Sequence, residues 1–237
     1  MLPAVARFST SRTRAQKALE EGLEPLADAI ASGSDGRLAA VLSSLSAELH
    51  LTSEVALSKA RDILAERMSE DARIRDRLRD HLRKKGEVIA HAGKHEDVEG
   101  HYRSLLGVRP AVSHIQGHRV LALNRAVSEG VLRYNIDAND KEPRAFALER
   151  LSKGAEPRCC EHIASAVNDG HERLRAPAIE NEIKRELTEK AENEAIEVFA
   201  VNLRELLLAP PLGDRSVIGI DPGFRTGCKV ALIDQHG

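Results

Sequence analysis

Residues 217–237 read VIGIDPGFRTGCKVALIDQHG, which is two short apolar runs joined by a turn that contains Gly223 and Gly227. Apolar runs of this length around a glycine-containing turn are typical of a β-hairpin. Asp221 closes the first run, and a carboxylate at the end of a strand can point into a site. The stretch therefore predicts a C-terminal β-hairpin and offers one candidate acidic residue.

The composition of the chain predicts a helical globular protein. Apolar residues make up 42% and charged residues 30%, which is typical of a folded rather than a disordered chain. Aromatic residues make up only 3%, so Leu, Ala, Val and Ile must build the core, and a chain rich in Leu, Ala, Glu and Arg favours helices. The formal net charge is −2, so any surface for nucleic acid must be a local basic patch.

The longest predicted element is a spine helix over residues 178–208. Apolar residues recur along it every three or four positions, and Pro177 suits its first turn. At about 1.5 Å per residue, thirty residues make a rod about 45 Å long, against which shorter helices can pack. Pro210 and Pro211 end it. The predicted domains are a helical region over 1–209, a linker over 210–216 and the start of a further domain over 217–237.

Shorter helices are predicted before the spine, because apolar residues at helical spacing alternate with Gly and Pro. Thr52 and the segment 69–71 offer N-cap residues. Residues 97–106 are predicted to be helical, and residues 131–136 alternate in character and predict one short strand. The fold class is therefore mainly α: a multi-helix scaffold with a spine helix, one short strand near 131–136 and a C-terminal β-hairpin.

Arginines alternate with the apolar positions of the predicted helix that ends before Gly86. They are Arg73, Arg75, Arg77, Arg79 and Arg83. One interpretation is a solvated helix face that Asp76 and Asp80 partly neutralise. The other is a face that contacts backbone phosphates.

Five segments, taken in this order, resemble the bacterial transcription accessory protein Tex family. They are RTRAQKALEEGLEPLADAI (12–30), ARDILAERMSEDARIRDRLR (60–79), GHRVLALNRAVSEGVLRYNI (117–136), AIENEIKRELTEKAENEAIEVFAVNLRELLLAPPL (178–212) and VIGIDPGFRTGCKVALID (217–234). The resemblance implies a helical region with a helix-turn-helix portion, followed by the opening hairpin of a YqgF domain of the RNase H-like class. Family members continue into helix-hairpin-helix modules and an S1 domain, so we expect this chain to be a piece of a longer product.

The sequence predicts no enzymatic site. RNase H-type hydrolysis needs several carboxylates around two metal ions, whereas Asp221 stands alone. The resemblance also implies a YqgF domain that does not cleave. Neither the histidine pairs spaced by four residues nor Cys159-Cys160 with His162 matches a metal-binding motif. We therefore expect no metal, no cofactor and no small-molecule substrate.

The expected function is that of a non-enzymatic scaffold that contacts the backbone of RNA or DNA without reading bases, with the transcription machinery as a further expected partner. The candidate nucleic-acid-binding residues are Arg12, Arg14, Arg73, Arg77, Arg119, Arg125, Arg225 and Lys229. Three cysteines without a disulfide pattern and no apolar run of about 20 residues predict a cytoplasmic protein outside the membrane. Two alternatives stay open, namely a metal-dependent nuclease fragment with Asp221 as first ligand and a purely structural or protein-interaction module.

Overall fold

The computed structural model describes residues 12–210, 212–223 and 227–236, and it is mainly helical, as the sequence predicts. The helices are α1 (Arg14–Glu20), α2 (Glu24–Ala31), α3 (Asp35–Glu48), α4 (Ser53–Ser69), α5 (Ala72–Lys85), α6 (Gly117–Ser128), α7 (Lys141–Leu151), α8 (Pro157–Gly170) and α9 (Ala176–Leu207). The strands are β1 (Glu87–Ala92), β2 (Leu132–Asp137), β3 (Val217–Gly223) and β4 (Gly227–Ile233). The chain divides into two compact units between Glu192 and Asn193.

Side-chain caps fix where several helices begin. Thr13, Thr52 and Asp71 each accept a hydrogen bond from the backbone N–H three residues further on, at 3.1, 3.4 and 3.1 Å. Each bond satisfies one of the free N–H groups of a first helical turn. The caps predicted at Thr52 and within 69–71 are therefore confirmed.

The N-termini of α3 and α8 cap each other. The Glu156 carboxylate accepts from the backbone N–H of Asp35 (2.5 Å), and the Asp35 carboxylate accepts from the backbone N–H groups of Arg158 (3.1 Å) and Cys159 (2.8 Å). Burial, with the Asp35 carboxylate beside it, raises the pKa of Cys159 to about 11. The thiol therefore stays protonated near neutral pH and is a packing group rather than a nucleophile.

The first of two hydrophobic cores surrounds α4. Leu64 and Ile63 of α4 are buried there with Ile30 of α2 and with Ile163 and Val167 of α8. The backbones of α4 and α8 lie so close that a Cβ at Gly170 would be 2.8 Å from the Ala65 carbonyl oxygen. This core therefore depends on small residues at helix crossings and on Leu and Ile between them, as the lack of tryptophan predicts.

The second core lies between a two-stranded sheet, α6 and the first half of α9. Strands β1 and β2 are antiparallel, with Val88 opposite Ile136 and Ala90 opposite Tyr134. The inner residues of the sheet pack with Ile179 and Ile183 of α9. The strand predicted near 131–136 is confirmed as β2. Its partner β1 was not predicted, because the pairing joins residues 40 to 50 positions apart in the sequence.

The helix predicted over 97–106 is wrong. These residues form turns, with one short 3-10 segment at Arg103–Leu105. The Asp97 carboxylate accepts from the backbone N–H groups of His101 (2.9 Å) and Tyr102 (2.8 Å), and Gly100 has a φ of +72°. A side chain that binds nearby backbone groups and a left-handed glycine both compete with helix formation.

The predicted spine helix is confirmed as α9, although Pro177 does not begin it. A π-helical segment at His171–Arg175 joins α8 to α9, so the helical backbone is continuous from 157 to 207. Proline cannot donate the usual backbone hydrogen bond and its ring crowds the preceding turn. A wider π turn directly before Pro177 accommodates both effects.

The apolar stripe of α9 is largely buried in the first half of the helix and exposed in the second half. Ile179, Ile183 and Ala191 are buried, whereas Ile196 and Phe199 are exposed, as are the apolar residues that follow them. None of the helices in the described ranges is long and apolar enough to cross a membrane.

The second compact unit contains the predicted C-terminal β-hairpin, which is confirmed. β3 and β4 are antiparallel from Val217 opposite Ile233 to Gly223 opposite Gly227. The assignment of this hairpin to an RNase H-like domain, and the domain limits at 209 and 217, stay predictions.

Candidate nucleic-acid interface

The candidate residues named from the sequence lie on several elements rather than on one surface. Arg12 and Arg14 are at the start of α1, Arg73 and Arg77 on α5, Arg119 and Arg125 on α6, and Lys229 on β4, while Arg225 lies outside the described residues. Their surroundings differ in how far nearby carboxylates neutralise them.

Arg12 and Arg14 line a cleft of about 530 Å³ whose cations are largely paired. Arg12 donates to the Glu20 carboxylate at 2.9 Å. Arg173, which also lines the cleft, donates to the Asp169 carboxylate at 2.6 Å. Arg14 has no ion pair among the described residues, so this cleft presents one free cation rather than a basic surface.

The candidates on α6 and β4 are similarly limited. Arg125 donates to the Glu129 carboxylate at 2.9 Å. Arg119 is half-buried beside a small apolar cavity. Lys229 lies directly across the hairpin from Asp221, and both are exposed. None of the three therefore belongs to a cluster of free cations within the described ranges.

Helix α5 carries seven arginines and lysines, and its faces have separate roles. Ile74, Leu78 and Leu82 form the buried face. On the next face, Arg79 donates to Glu182 of α9 at 2.6 Å and Arg83 donates to Glu186 at 2.6 Å. The side-chain hydrogen bond to Glu182 raises the pKa of Arg79. These arginines bind α5 to the spine, a role that neither interpretation of the sequence included.

The outer face of α5 forms what we call the basic stripe: Arg73, Arg77 and Lys84, all exposed. Residues four and seven positions apart share a helix face, and at about 1.5 Å per residue the stripe is about 16 Å long. Neither Arg73 nor Lys84 has an ion pair within the part of the chain that the structure describes. Asp80 interrupts the stripe and lies 3.8 Å from the Arg83 guanidinium.

Beside the basic stripe, α5 and the first turn of α7 enclose the α5–α7 pocket, of about 140 Å³. It is lined by Arg77, Asp80, His81, Lys84, Lys85 and Glu142. The Glu142 carboxylate forms an ion pair with Arg77, a second with Lys85 at 3.3 Å, and lies 3.6 Å from Nδ1 of His81. The hydrogen bond from Lys85 and the charge of Lys85, followed by the charge of Arg77, hold the pKa of Glu142 below its ordinary value.

The residues around Arg77 were only partly predictable. Lys84 and Lys85 stand out in the sequence as cations at a helix C-terminus, but no local pattern places Glu142 against them. The Arg77 guanidinium also lies 5.8 Å from the ring centre of Phe146 on α7, a cation–π contact. The packing of α7 against α5 therefore creates the pocket.

The described residues include no group of three or more His, Cys, Asp or Glu side chains that could hold a metal ion. Asp221 is exposed at the hairpin. Its chemical role stays a prediction.

A cluster of buried polar residues lies at the π segment. His171 is 3% exposed and its Nε2 lies 2.9 Å from the Asp140 carboxylate. Arg175 is 1% exposed and donates to the carbonyl oxygen of Val167 at 3.0 Å. Its Nε has no hydrogen-bond partner among the described residues. The cluster is enclosed by packing, which makes it structural rather than a surface for ligands.

The stability of the fold is expected to fall as the pH drops below about 6.5, the ordinary histidine pKa. Burial, and next the positive charge of Arg144, lower the pKa of His171, although Asp140 acts in the opposite direction and Arg175 adds to the lowering. Below 6.5 the unfolded chain therefore binds more protons than the folded chain, and the free energy of unfolding decreases. Urea unfolding at pH 7.5 and pH 5.5 measures this.

His171→Asn is the matching variant for that measurement. It is expected to reduce the loss of stability between the two pH values. In this variant the free energy of unfolding still falls as the pH drops, but less steeply, because burial also lowers the pKa of His162. An unchanged pH dependence in His171→Asn would contradict the assignment to His171.

Comparison with known proteins identifies the family. The family model described as Tex central region-like matches residues 39–199, which is more than half of the chain. Protein tex of Bordetella pertussis is 37% identical over 95% of this chain, and Transcriptional accessory protein Tex of Neisseria gonorrhoeae is 34% identical over 95%. Human S1 RNA-binding domain-containing protein 1 is 32% identical over 52% of this chain and 13% of its own length.

The chain covers 31% of the length of each of the two bacterial relatives, so it spans about a third of those proteins. The match to the family model includes the whole of α4 to α8 and most of α9, and with them the basic stripe and the α5–α7 pocket. The chain therefore belongs to the Tex-like family of transcription accessory proteins.

Proposed function

We propose that the chain is a non-enzymatic scaffold that binds the phosphate backbone of RNA or DNA without sequence preference. The observation that carries the proposal is the basic stripe on α5. Its two outer members, Arg73 and Lys84, have no ion pair among the described residues, although the chain has a net charge of −2. On a chain with this charge balance, an exposed row of cations is the local basic patch that backbone binding requires.

The chemistry of the stripe supports backbone contact rather than base readout. Arginine and lysine on one exposed helix face neutralise phosphates and release counterions, which gives affinity without sequence information. The name of the human relative, an S1 RNA-binding domain-containing protein, supports a nucleic-acid partner for the family. The wider partners of such a scaffold, including the transcription machinery, belong to the same proposal.

Replacing the stripe by Arg73→Gln, Arg77→Gln and Lys84→Gln together is expected to weaken binding of a single-stranded oligonucleotide about tenfold at low salt. The slope of log affinity against log salt is expected to fall by about 2, because each phosphate contact on a single strand contributes about 0.7. Fluorescence anisotropy across a series of sodium chloride concentrations measures both values.

The matched control is the triple variant Lys17→Gln, Arg37→Gln and Lys153→Gln. These side chains are exposed and have no ion pair in the described part of the chain, so the control removes the same charge from other surfaces. Equal losses in both variants would show a general charge effect instead of a site. No binding by the unaltered chain at low salt would overturn direct binding and favour a structural module.

Cleavage is tested separately. Magnesium-dependent cleavage of RNA or DNA that disappears in Asp221→Asn would replace the scaffold proposal by the nuclease alternative.

A further inference from the structure

The α5–α7 pocket already holds an anion that the protein supplies itself. The Glu142 carboxylate lies between Arg77 and Lys85, with the imidazole of His81 behind it. The His81 side chain is 6% exposed, and its Nε2 donates to the carbonyl oxygen of Asn139 at 2.7 Å. The ring is thereby fixed with Nδ1 towards the carboxylate.

The cations of the pocket outnumber the carboxylates that line it. It is lined by three cations, Arg77, Lys84 and Lys85, and by two carboxylates, Glu142 and Asp80. Lys84 has no ion pair among the described residues, so its charge is available. Glu142 is in the first turn of α7, where the helix dipole adds positive potential. The pocket therefore has the charge and the geometry to hold an anion larger than one carboxylate.

The contacts that hold Glu142 in place are exchangeable. The side chains of Glu142, Arg77 and Lys85 are 47%, 51% and 65% exposed. Ion pairs at such exposure contribute little to stability, because water and salt screen them. A ligand that brings more negative charge and more acceptor oxygens than a carboxylate can take its place.

We infer that the α5–α7 pocket is a binding site for a backbone phosphate of RNA or DNA, and that Glu142 is a built-in competitor for it. The inference rests on the proposed function, since Arg77 and Lys84 belong to both the basic stripe and the pocket. The phosphate oxygens would accept from the Arg77 guanidinium and from the ammonium groups of Lys84 and Lys85. Glu142 then sets how tightly the stripe holds nucleic acid, because its carboxylate must first leave.

Removing the charge of Glu142 is expected to strengthen binding. Glu142→Gln keeps the size of the side chain but frees Arg77 and Lys85, and we expect about threefold tighter binding of a single-stranded oligonucleotide, the scale of one or two exposed ion pairs. The salt dependence is expected to become steeper by about 0.7 for each additional phosphate contact. Binding of inorganic phosphate, measured by isothermal titration calorimetry, is expected to strengthen as well.

The matched control is Glu161→Gln on α8, which removes the same charge. Glu161 is exposed and forms no ion pair with any described residue. We expect its affinity for the oligonucleotide and for phosphate to equal that of the unaltered chain. Circular dichroism and thermal unfolding of both variants show that the comparison is made on folded protein.

The outcomes separate this inference from the proposed function. Tighter oligonucleotide binding in Glu142→Gln but not in Glu161→Gln supports the inference. If Glu142→Gln binds inorganic phosphate more tightly but the oligonucleotide no more tightly, the pocket is a site for free phosphate. That result would overturn the inference that its ligand is a backbone phosphate of nucleic acid. A third outcome is that the triple variant of the basic stripe weakens oligonucleotide binding while Glu142→Gln leaves the affinities for the oligonucleotide and for inorganic phosphate unchanged. In that case the proposed function stands and the inference fails. If neither the unaltered chain nor Glu142→Gln binds the oligonucleotide, both fail.

Discussion

Ile183→Ala is expected to lower the free energy of unfolding by about 3 kcal/mol, whereas Ile196→Ala on the same helix changes it by less than about 0.5 kcal/mol. Both residues belong to the apolar stripe of α9, and the substitution is the same. Ile183 is 1% exposed within the second core, whereas Ile196 is 64% exposed. The difference between the two variants therefore gives the contribution of burial to the free energy of unfolding, because the change in helix propensity is the same in both.

The physical reason for the large effect is the cavity that alanine leaves at position 183. Ile183 is buried in one core with Ile179 and with residues of the β1–β2 sheet, and a closely packed core relaxes only partly around a lost side chain. At position 196 no buried contacts are lost, and alanine has the higher helix propensity. Urea unfolding followed by circular dichroism measures both variants. Similar losses at the two positions would show that the second half of α9 is packed in solution.

Gly33→Ala is expected to lower the free energy of unfolding by about 2 to 3 kcal/mol, because it combines backbone strain with a steric clash. Gly33 has a φ of +76°, in the left-handed region that disfavours a Cβ. A Cβ there would also lie 2.9 Å from the Cα of Ala155. The clash falls on backbone atoms next to Glu156, whose N–H donates to the Gly33 carbonyl oxygen at 2.8 Å.

The control for Gly33 is Gly22→Ala, which carries the strain without the clash. Gly22 has a φ of +80°, and no described atom lies within 4 Å of the position that its Cβ would take. We expect a loss of about 1 kcal/mol there, from the left-handed conformation alone. The difference between the two variants therefore measures how closely the α2–α3 turn packs against the start of α8. Equal losses would mean that the Ala155 backbone moves away at no energetic cost.

The sequence predicted the parts of the fold that local physics determines. The spine helix follows from apolar periodicity, the start of α4 from the cap at Thr52, and the C-terminal hairpin from two apolar runs around glycine. Each of these signals lies within one element. The helix wrongly predicted over 97–106 has helical spacing too, but there the Asp97 side chain competes for backbone N–H groups that a helix would use.

Contacts between distant segments could not be predicted in the same way. Strand β1 has only weak alternation and is defined by its pairing with β2. For the site, the sequence named Arg73 and Arg77 as candidates, but not which arginines of α5 remain free. Glu182, which binds Arg79, lies 103 positions further along the chain, so only the folded structure separates structural arginines from available ones.

The continuous helix formed by α8, the π segment and α9 has a thermodynamic consequence. Its α8 part contributes to the first core and its α9 part to the second. One uninterrupted backbone therefore runs through both cores, with the wide turn at His171–Arg175 between them. Because a helix propagates cooperatively along its length, order gained in one core favours order in the other. We therefore expect the two cores to unfold together, and the π segment, with His171 and Arg175 buried in it, is the backbone link between them.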